Sequence, residues 1–415
     1  MAEGASKTAL YLTTASAHAR GRLADLPVPP HPGLAAGPVY LDYNATTPVD
    51  PRVAEAMWPH LADHFGNPSS GHSYGDDPRR ALATARGQVA ALIGAAPPEI
   101  VFAGSGSEAN LLALRGAFLA ADGPRPHVIT QATEHPAVLE TCRALARLHR
   151  ARVTVLPVDQ EGRVEPAALA AALDRDTVLV SVMAANNETG ARQPIRELAA
   201  LAHRHGALFH CDAAQAAGKI PIDVAALGVD LLTVVGHKMY APKGVAALYV
   251  RHGLRLEPVV YGGGQEHGLR AGTENVALAV ALGAAAHLAA TELAAGAPDH
   301  LRGLRDELHQ RLAAALPGRV HLNGPETDRL PNTLNISIDG TRGQDLLAAT
   351  PRVAASTGSA CHSGVDTPSP VLSAMGLSPG RAMTAVRLSL GRWTTPADIR
   401  TAAEALVAAQ SLLHR

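Results

Sequence analysis

Lys238 and Asp212 are the side chains whose types and settings point most directly to chemistry. Lys238 lies in LLTVVGHKMYAPK, residues 231–243, where a β-branched apolar run stops at Gly236-His237-Lys238. Asp212 lies in ALFHCDAAQ, residues 207–215, another apolar run that ends in an acid, with Gln215 a short turn later. Runs this apolar read as buried strands, each delivering its terminal polar residue to the carboxyl edge of a sheet. A strand-end lysine on its own most often snorkels to solvent. Beside a strand-end carboxylate it has a second reading. The amine can form a Schiff base with an aldehyde cofactor, and the carboxylate keeps a pyridinium nitrogen protonated so that the ring accepts electrons. Pyridoxal 5'-phosphate needs those two groups, and it is the cofactor we expect.

A phosphate needs its own seat, and EIVFAGSGSEANLLAL (99–114) offers one. There a strand passes through Gly104-Ser105-Gly106-Ser107 into a helix, leaving free N–H groups and the positive end of the helix dipole at one point. Tight strand-to-helix turns use glycine for geometric reasons as well, so the turn gains weight from the cofactor inferred independently. His135 in TEHPAV is either a satisfied histidine at a helix start or a ring that stacks on the cofactor and shuttles protons. Asn187 and Gln215 sit where amides could bond a phenolic oxygen or the substrate, and His237 either contacts phosphate or fills its turn. Cys211 faces away from Asp212 by strand alternation and reads as core. Cys361 differs. It lies in AASTGSACHSG (354–364), a run of small residues without periodicity, where a loop could present and withdraw a nucleophilic thiolate. Arg387, in the apolar strand AVRLSLGR, should hold a carboxylate, such as that of an amino-acid substrate.

The elements that would position these groups alternate. Strand signals at 127–130, 153–158, 177–184, 207–212, 231–235 and 246–250 are separated by alanine-rich helical stretches. That pattern predicts an α/β fold with a mostly parallel sheet and ligands beyond its carboxyl ends. His135, Asn187, Glu188, Asp212 and Lys238 all fall at such ends. The segment 50–60 reads as a helix, FGNPSSGHSYG (65–75) as a polar loop, 79–93 as a helix closed by Gly94, and 276–293 as a long Ala/Leu helix. From residue 300 the pattern changes to a smaller α+β layer ending in a helix from Pro396. We therefore expect an extension at 1–38, a large domain at 51–295, and a small domain from 39–50 and 296–415 that carries the cysteine loop.

Composition narrows the classes. The 415 residues are 47% hydrophobic and 18% charged with formal net charge −1, so neither nucleic acid nor an acidic membrane surface is an expected partner. Three distant cysteines suit a reduced, cytoplasmic setting rather than a disulfide framework. The 20 histidines show no metal-ligand spacing. No apolar run reads as a membrane span. The proline-bearing first 38 residues read as a loosely ordered extension.

Taken together, YLDYNATTP, GNPSS, FAGSGSEANLLAL, TEHPAV, ANNETG, HCDAAQ, GHKMYAPKG, GGGQEHGLRAGTEN, RLPNTLNIS, STGSACHSG and VRLSLGR resemble the class V, aspartate-aminotransferase-fold enzymes of the cysteine desulfurase and selenocysteine lyase group. The resemblance runs from about Val39 to Ala405 and implies the pyridoxal-phosphate-dependent transferase fold. It implies that Lys238 is the Schiff-base lysine and Asp212 the pyridinium partner. Gln215 would bond the phenolic oxygen, Asn187 would lie beside the ring, and His135 would stack on it. Gly106, Ser107 and His237 would hold the phosphate with Thr273 from the other subunit of a homodimer. Asn44, Asn187 and Arg387 would bind substrate, and Cys361 would accept sulfur. The implied reaction turns L-cysteine into L-alanine, leaving a persulfide on Cys361 for an acceptor protein. Val235 departs from the serine usual before Gly-His-Lys among desulfurases. VVGHK, ACHSG and PSPVL look closer to the selenocysteine-lyase branch, so release of selenium from L-selenocysteine is the alternative. A general aminotransferase or decarboxylase would leave Cys361 without a task, and a scaffold without catalysis would not need the full set of groups.

Overall fold

The computed structural model describes residues 28–121, 126–358 and 367–414. Twelve strands are β1 Val39–Tyr40, β2 Ile100–Ala103, β3 His127–Gln131, β4 Arg152–Leu156, β5 Thr177–Ser181, β6 Leu208–Asp212, β7 Leu231–Val235, β8 Ala246–Val250, β9 Val320–Leu322, β10 Thr333–Ile338, β11 Val353–Ala354 and β12 Ala385–Ser389. Strands β2 to β8 make one seven-stranded sheet in the order β2-β8-β7-β6-β5-β3-β4. Only β8 runs against its neighbours. Strands β2, β3, β7 and β8 are buried along their whole length, because helices cover both faces and leave no solvent side for alternation. At the edge, β4 is half exposed.

One core packs Leu82, Val89, Ile93, Phe209, Leu232 and Val234 on one face of the sheet, and another packs Val101, Leu112, Val138, Leu179 and Leu248 on the other. A third gathers around the antiparallel β12-β10-β9 sheet and the helices Ala297–Ala315 and Pro396–Leu413. Leu41 joins that third core, and β1 pairs in parallel with β11, so the first strand packs with the C-terminal elements rather than with its sequence neighbours.

Three local expectations change. The long helix starts at Ser73, not Arg79, and takes in part of the presumed loop. Gly75 falls in its first turn, where backbone N–H groups have no intrahelical partner to lose, whereas Pro78 lies inside the helix and forgoes one such bond. The segment 50–60 is divided into Pro51–Met57 and Pro59–Ala62, since Pro59 cannot continue the first helix. The helix Val276–Ala294 is long and apolar enough to cross a bilayer by composition, contrary to the sequence expectation. Its Val276, Ala279, Leu282 and Ala286 side are buried in the protein core.

The extension is also less loose than expected from residue 28 on. The Trp393 indole donates to the Pro29 carbonyl at 2.9 Å, the His31 ring packs edge-on against Trp393 at 5.0 Å, and His31 Nε2 lies 3.1 Å from the Val49 carbonyl. Residues 1–27 lie outside the described residues.

Candidate active site

Lys238 ends a short 3-10 turn, Gly236–Lys238, at the carboxyl end of β7. The turn admits no side chain at Gly236, where a Cβ would stand 2.9 Å from the Val245 carbonyl oxygen. The segment 44–50 clamps this turn from outside. Thr47 N–H donates to the His237 carbonyl at 2.9 Å, Tyr240 N–H to the Thr47 hydroxyl at 2.8 Å, and Asp50 N–H to the Tyr240 carbonyl at 3.0 Å. Tyr240 takes a left-handed φ of 64° and is held there by Arg392, whose guanidinium lies 3.9 Å from its ring centroid and pairs with buried Asp50. The Lys238 amine donates to the Asn44 and Ala45 carbonyls, each at 2.7 Å. Burial, then the Arg387 charge, lowers its pKa to about 8, against the opposing pull of Asp42 and Asp212.

Asp212, 5% exposed, closes β6, the strand beside β7. Its oxygens accept from Ala214 N–H at 2.9 Å and from Asn110 Nδ2 at 2.7 Å. Asn110 belongs to the helix Gly106–Ala120, so the same helix orients Asp212 and opens its N-terminus one turn away. There Ser105 caps the Glu108 N–H, and the Gly106 and Ser107 N–H groups have no acceptor among the described residues. Gly106 is required by close approach, because a Cβ would meet the Val235 Cγ2 methyl at 2.6 Å. His237 sets Nδ1 3.1 Å from the Thr46 hydroxyl, leaving Nε2 for a ligand. Burial, then Lys238, pushes its pKa down to about 4, so the ring is neutral at pH 7.

The helix-start reading of His135 holds. It is the N-cap of the helix Pro136–His149, where Nδ1 accepts the Ala137 N–H at 3.1 Å. That bond assigns the proton of the neutral ring to Nε2, and the ring is otherwise exposed. Desolvation in the cleft and the Lys238 charge make it less basic, and Asp212 opposes them.

Its neighbour Glu134 is buried, with Oε1 accepting from Gln131 Nε2 at 3.1 Å and Met183 N–H at 2.5 Å, and with no partner for Oε2 among the described residues. Burial, then the Asp212 charge, pushes its pKa up to about 8. The folded chain therefore keeps a proton that the unfolded chain releases between the ordinary carboxylate range and about 8, and stability falls as pH rises through that window. Glu134→Gln keeps an acceptor oxygen and cannot ionise. Its melting temperature relative to wild type should be higher at about pH 9 than at about pH 5 by calorimetry. An equal difference at both would mean that Glu134 is not the group that titrates.

Arg387, 4% exposed on β12, donates to Asp42 Oδ1 at 2.7 Å and to the Asn187 carbonyl at 3.3 Å, and its Nε has no partner among the described residues. The Asn187 side-chain amide makes no hydrogen bond among the described residues. Asn44 differs from expectation. Its Nδ2 donates to the Asn187 carbonyl and Thr333 hydroxyl, and its Oδ1 accepts from Lys219 and Asn332, so the amide is fully used within the protein. Asn44 reaches the site through its main-chain carbonyl instead. Thr273 is exposed, on a segment tied to the phosphate-turn helix by the Arg270–Glu108 ion pair at 2.8 Å.

Cys361 lies outside the described residues. The chain on either side of it converges on Glu188: a Cβ on Gly358 would be 2.6 Å from Glu188 Oε2, and the Ser369 hydroxyl donates to that oxygen at 2.6 Å. Just before, Ser356 pairs with the Arg387 backbone. The other two cysteines are buried, as expected for Cys211. Burial raises the pKa of both thiols, that of Cys142 to about 12.

The model of the class-V aminotransferases matches residues 39–401, which hold every site residue named above. The chain belongs to the class-V aminotransferase family. It is 47% identical over 363 residues to a cysteine desulfurase of Trichormus azollae, covering 87% of this chain and 90% of that one. It is 43% identical to a cysteine desulfurase of Mus musculus, over 88% of this chain and 80% of that protein. Among solved structures, a NifS-like protein matches with TM-score 0.83 at 35% identity, covering 91% of this chain and 99% of that one. SspA in complex with cysteine matches with TM-score 0.75 at 34% identity, over 86% and 99%.

In this class-V aminotransferase the sequence reading missed Asn110, Lys219, Asp42 and Glu134. Asn110 had a signal, being the polar residue within an apolar helical stretch. Asp42 had none, since Arg387 is distant in sequence. Lys219 stands four residues after Gln215, a spacing the sequence shows, but its second partner Asn44 is distant.

Proposed function

We propose that this chain is a pyridoxal-phosphate-dependent cysteine desulfurase. The observation that carries the reading is the convergence of the Lys238 amine, the Asp212 carboxylate and the open N-terminus of the helix Gly106–Ala120. That donor set fits the cofactor. A phosphate finds unpaired N–H groups at Gly106 and Ser107, the Ser107 hydroxyl and His237 Nε2. A ring nitrogen finds a carboxylate already oriented by Asn110 and Ala214, and a phenolic oxygen finds the Gln215 amide. When bound, pyridoxal phosphate would supply a sink for the electron pair left at the substrate's α-carbon.

The chain's own residues do the rest. Arg387, with donors to spare, takes the substrate carboxylate and fixes the amino acid, and the Asn187 amide lies beside it. Lys238, once its amine is free, is the base for the α-proton, and a pKa near 8 suits that task at neutral pH. The Cys361 thiolate attacks the substrate sulfur, and an S–S bond forms as the C–S bond breaks with its electron pair left on the substrate. The β-carbon takes up a proton, and the α-carbon regains the one held by Lys238, giving alanine. Two buried thiols of low reactivity leave Cys361 as the cysteine for this step.

The exposed Trp58, Leu61, Phe65 and Tyr74 side chains support a homodimer, in which Thr273 would reach the partner's phosphate site. The selenocysteine-lyase reading has less support. It rested on Val235 and the flanks of Cys361, whereas relatives at 42–47% identity over most of the chain are cysteine desulfurases.

The test is alanine formation from L-cysteine and from L-selenocysteine by wild type and Cys361→Ala. Wild type should turn over cysteine, and the variant should keep the cofactor's visible band and lose at least about 100-fold of that activity. Undiminished cysteine turnover in the variant would remove Cys361 from the mechanism, and turnover of selenocysteine alone would favour the lyase.

A further inference from the structure

Lys219 is the second lysine of the site, and no step above uses it. It lies one turn beyond Gln215 in the segment after β6. Its Nζ stands 2.6 Å from Gln215 Oε1 and 3.0 Å from Asn44 Oδ1. An ammonium has three donors and no acceptor, so the end of the Gln215 amide that faces it must be the oxygen. Even a neutral amine has two N–H groups, enough for both oxygens. The Gln215 Nε2 therefore points the other way, with one N–H donated to the Asn44 carbonyl at 2.9 Å and the second uncommitted. That carbonyl also receives the Lys238 amine. The donor end of Gln215 and the reactive lysine thus converge on a single atom.

We propose that Lys219 is a positioning residue that fixes the Gln215 amide with its N–H groups toward the cofactor's phenolic oxygen. The inference rests on the pyridoxal-phosphate reading above. A side-chain amide has nearly the same shape either way round. Turned over, Gln215 would set its oxygen against the Asn44 carbonyl, losing that hydrogen bond and gaining a repulsion, and its NH₂ would face a Lys219 ammonium that has no lone pair to accept it. A phenolate oxygen only accepts, so it is served in the observed orientation and refused in the other. Lys219 acts through Gln215 and does not itself meet the cofactor.

The test is the pH titration of the cofactor's visible band in loaded wild type, Lys219→Met, Lys219→Arg, Gln215→Leu and the Lys219→Met/Gln215→Leu double variant. A donor to the phenolate favours the deprotonated chromophore, so losing it raises the midpoint. Lys219→Met and Gln215→Leu should each move the midpoint up by about one unit, Lys219→Arg by only a few tenths, and the double variant no further than Gln215→Leu alone. Arg387, Asp42, Asp212, His135 and His237 around Lys238 are common to all five proteins, whereas Lys219 itself interacts electrostatically with Lys238. A shift caused by loss of that charge alone would persist without Gln215, and the double variant separates it from the positioning effect. A wild-type midpoint in Lys219→Met, or a double variant that shifts by the sum, overturns the proposal. Should Lys219→Met fail to fold, a Lys219→Arg midpoint equal to that of Gln215→Leu overturns it as well. A wild-type protein without a visible band defeats the cofactor reading first, which is a different failure.

Discussion

Lys238→Ala should abolish the visible cofactor band and lower cysteine turnover by at least about 10³-fold, combining the loss of a covalent anchor with that of a general base. The fold should survive. Among the described residues Lys238 donates to two main-chain carbonyls, and Asn44 O keeps the Gln215 bond when the amine goes. The same lysine predicts the pH dependence of cofactor uptake by wild-type apoprotein. Only a neutral amine attacks an aldehyde, and with a pKa of about 8 roughly a tenth of the molecules qualify at pH 7. Uptake should accelerate with rising pH and level off above a midpoint near 8, where an ordinary lysine would still be gaining. A band retained in Lys238→Ala, or uptake that ignores pH across this range, would mean that another group holds the cofactor.

Asp212→Asn should fold and bind cofactor, yet lose on the order of 10²–10³-fold in turnover, the range seen when one preorganised electrostatic contact is removed. The side chain is 5% exposed, so its charge acts on a bound ring with little screening by water. Structure explains why the loss should be chemical rather than structural. The new amide can keep its oxygen toward Ala214 N–H. Asn110, whose Oδ1 has no partner, can turn over to accept from the new NH₂. Thermal unfolding within a few degrees of wild type, alongside the turnover loss, is the expected pair of results. Full activity would remove Asp212 from the role of ring partner, and a large drop in melting temperature would mean that its charge serves the fold instead.

The sequence alone determined which strands end in chemistry. Runs such as 207–212 and 231–235 are apolar because both faces of a parallel sheet are covered, and that pattern is local, so Asp212 and Lys238 announce themselves. The same holds for the phosphate turn, for His135 and for the general α/β class. Tertiary structure decided what each group is bonded to. The segment 44–50 meets the C-terminal elements through Asn44 and Asp50 and yet clamps the Lys238 turn, so the amide of Asn44, expected among the substrate-binding residues, is taken up within the protein. Asp42 found Arg387, and Lys219 found Asn44, across separations that no local pattern records. Glu134 reads as an ordinary acid in TEHPAV. Only its burial beside Asp212, with one oxygen unpartnered, makes it a carboxyl that stays protonated near neutral pH. Residue type and period are written along the chain, whereas desolvation and partner choice arise from groups brought together by packing.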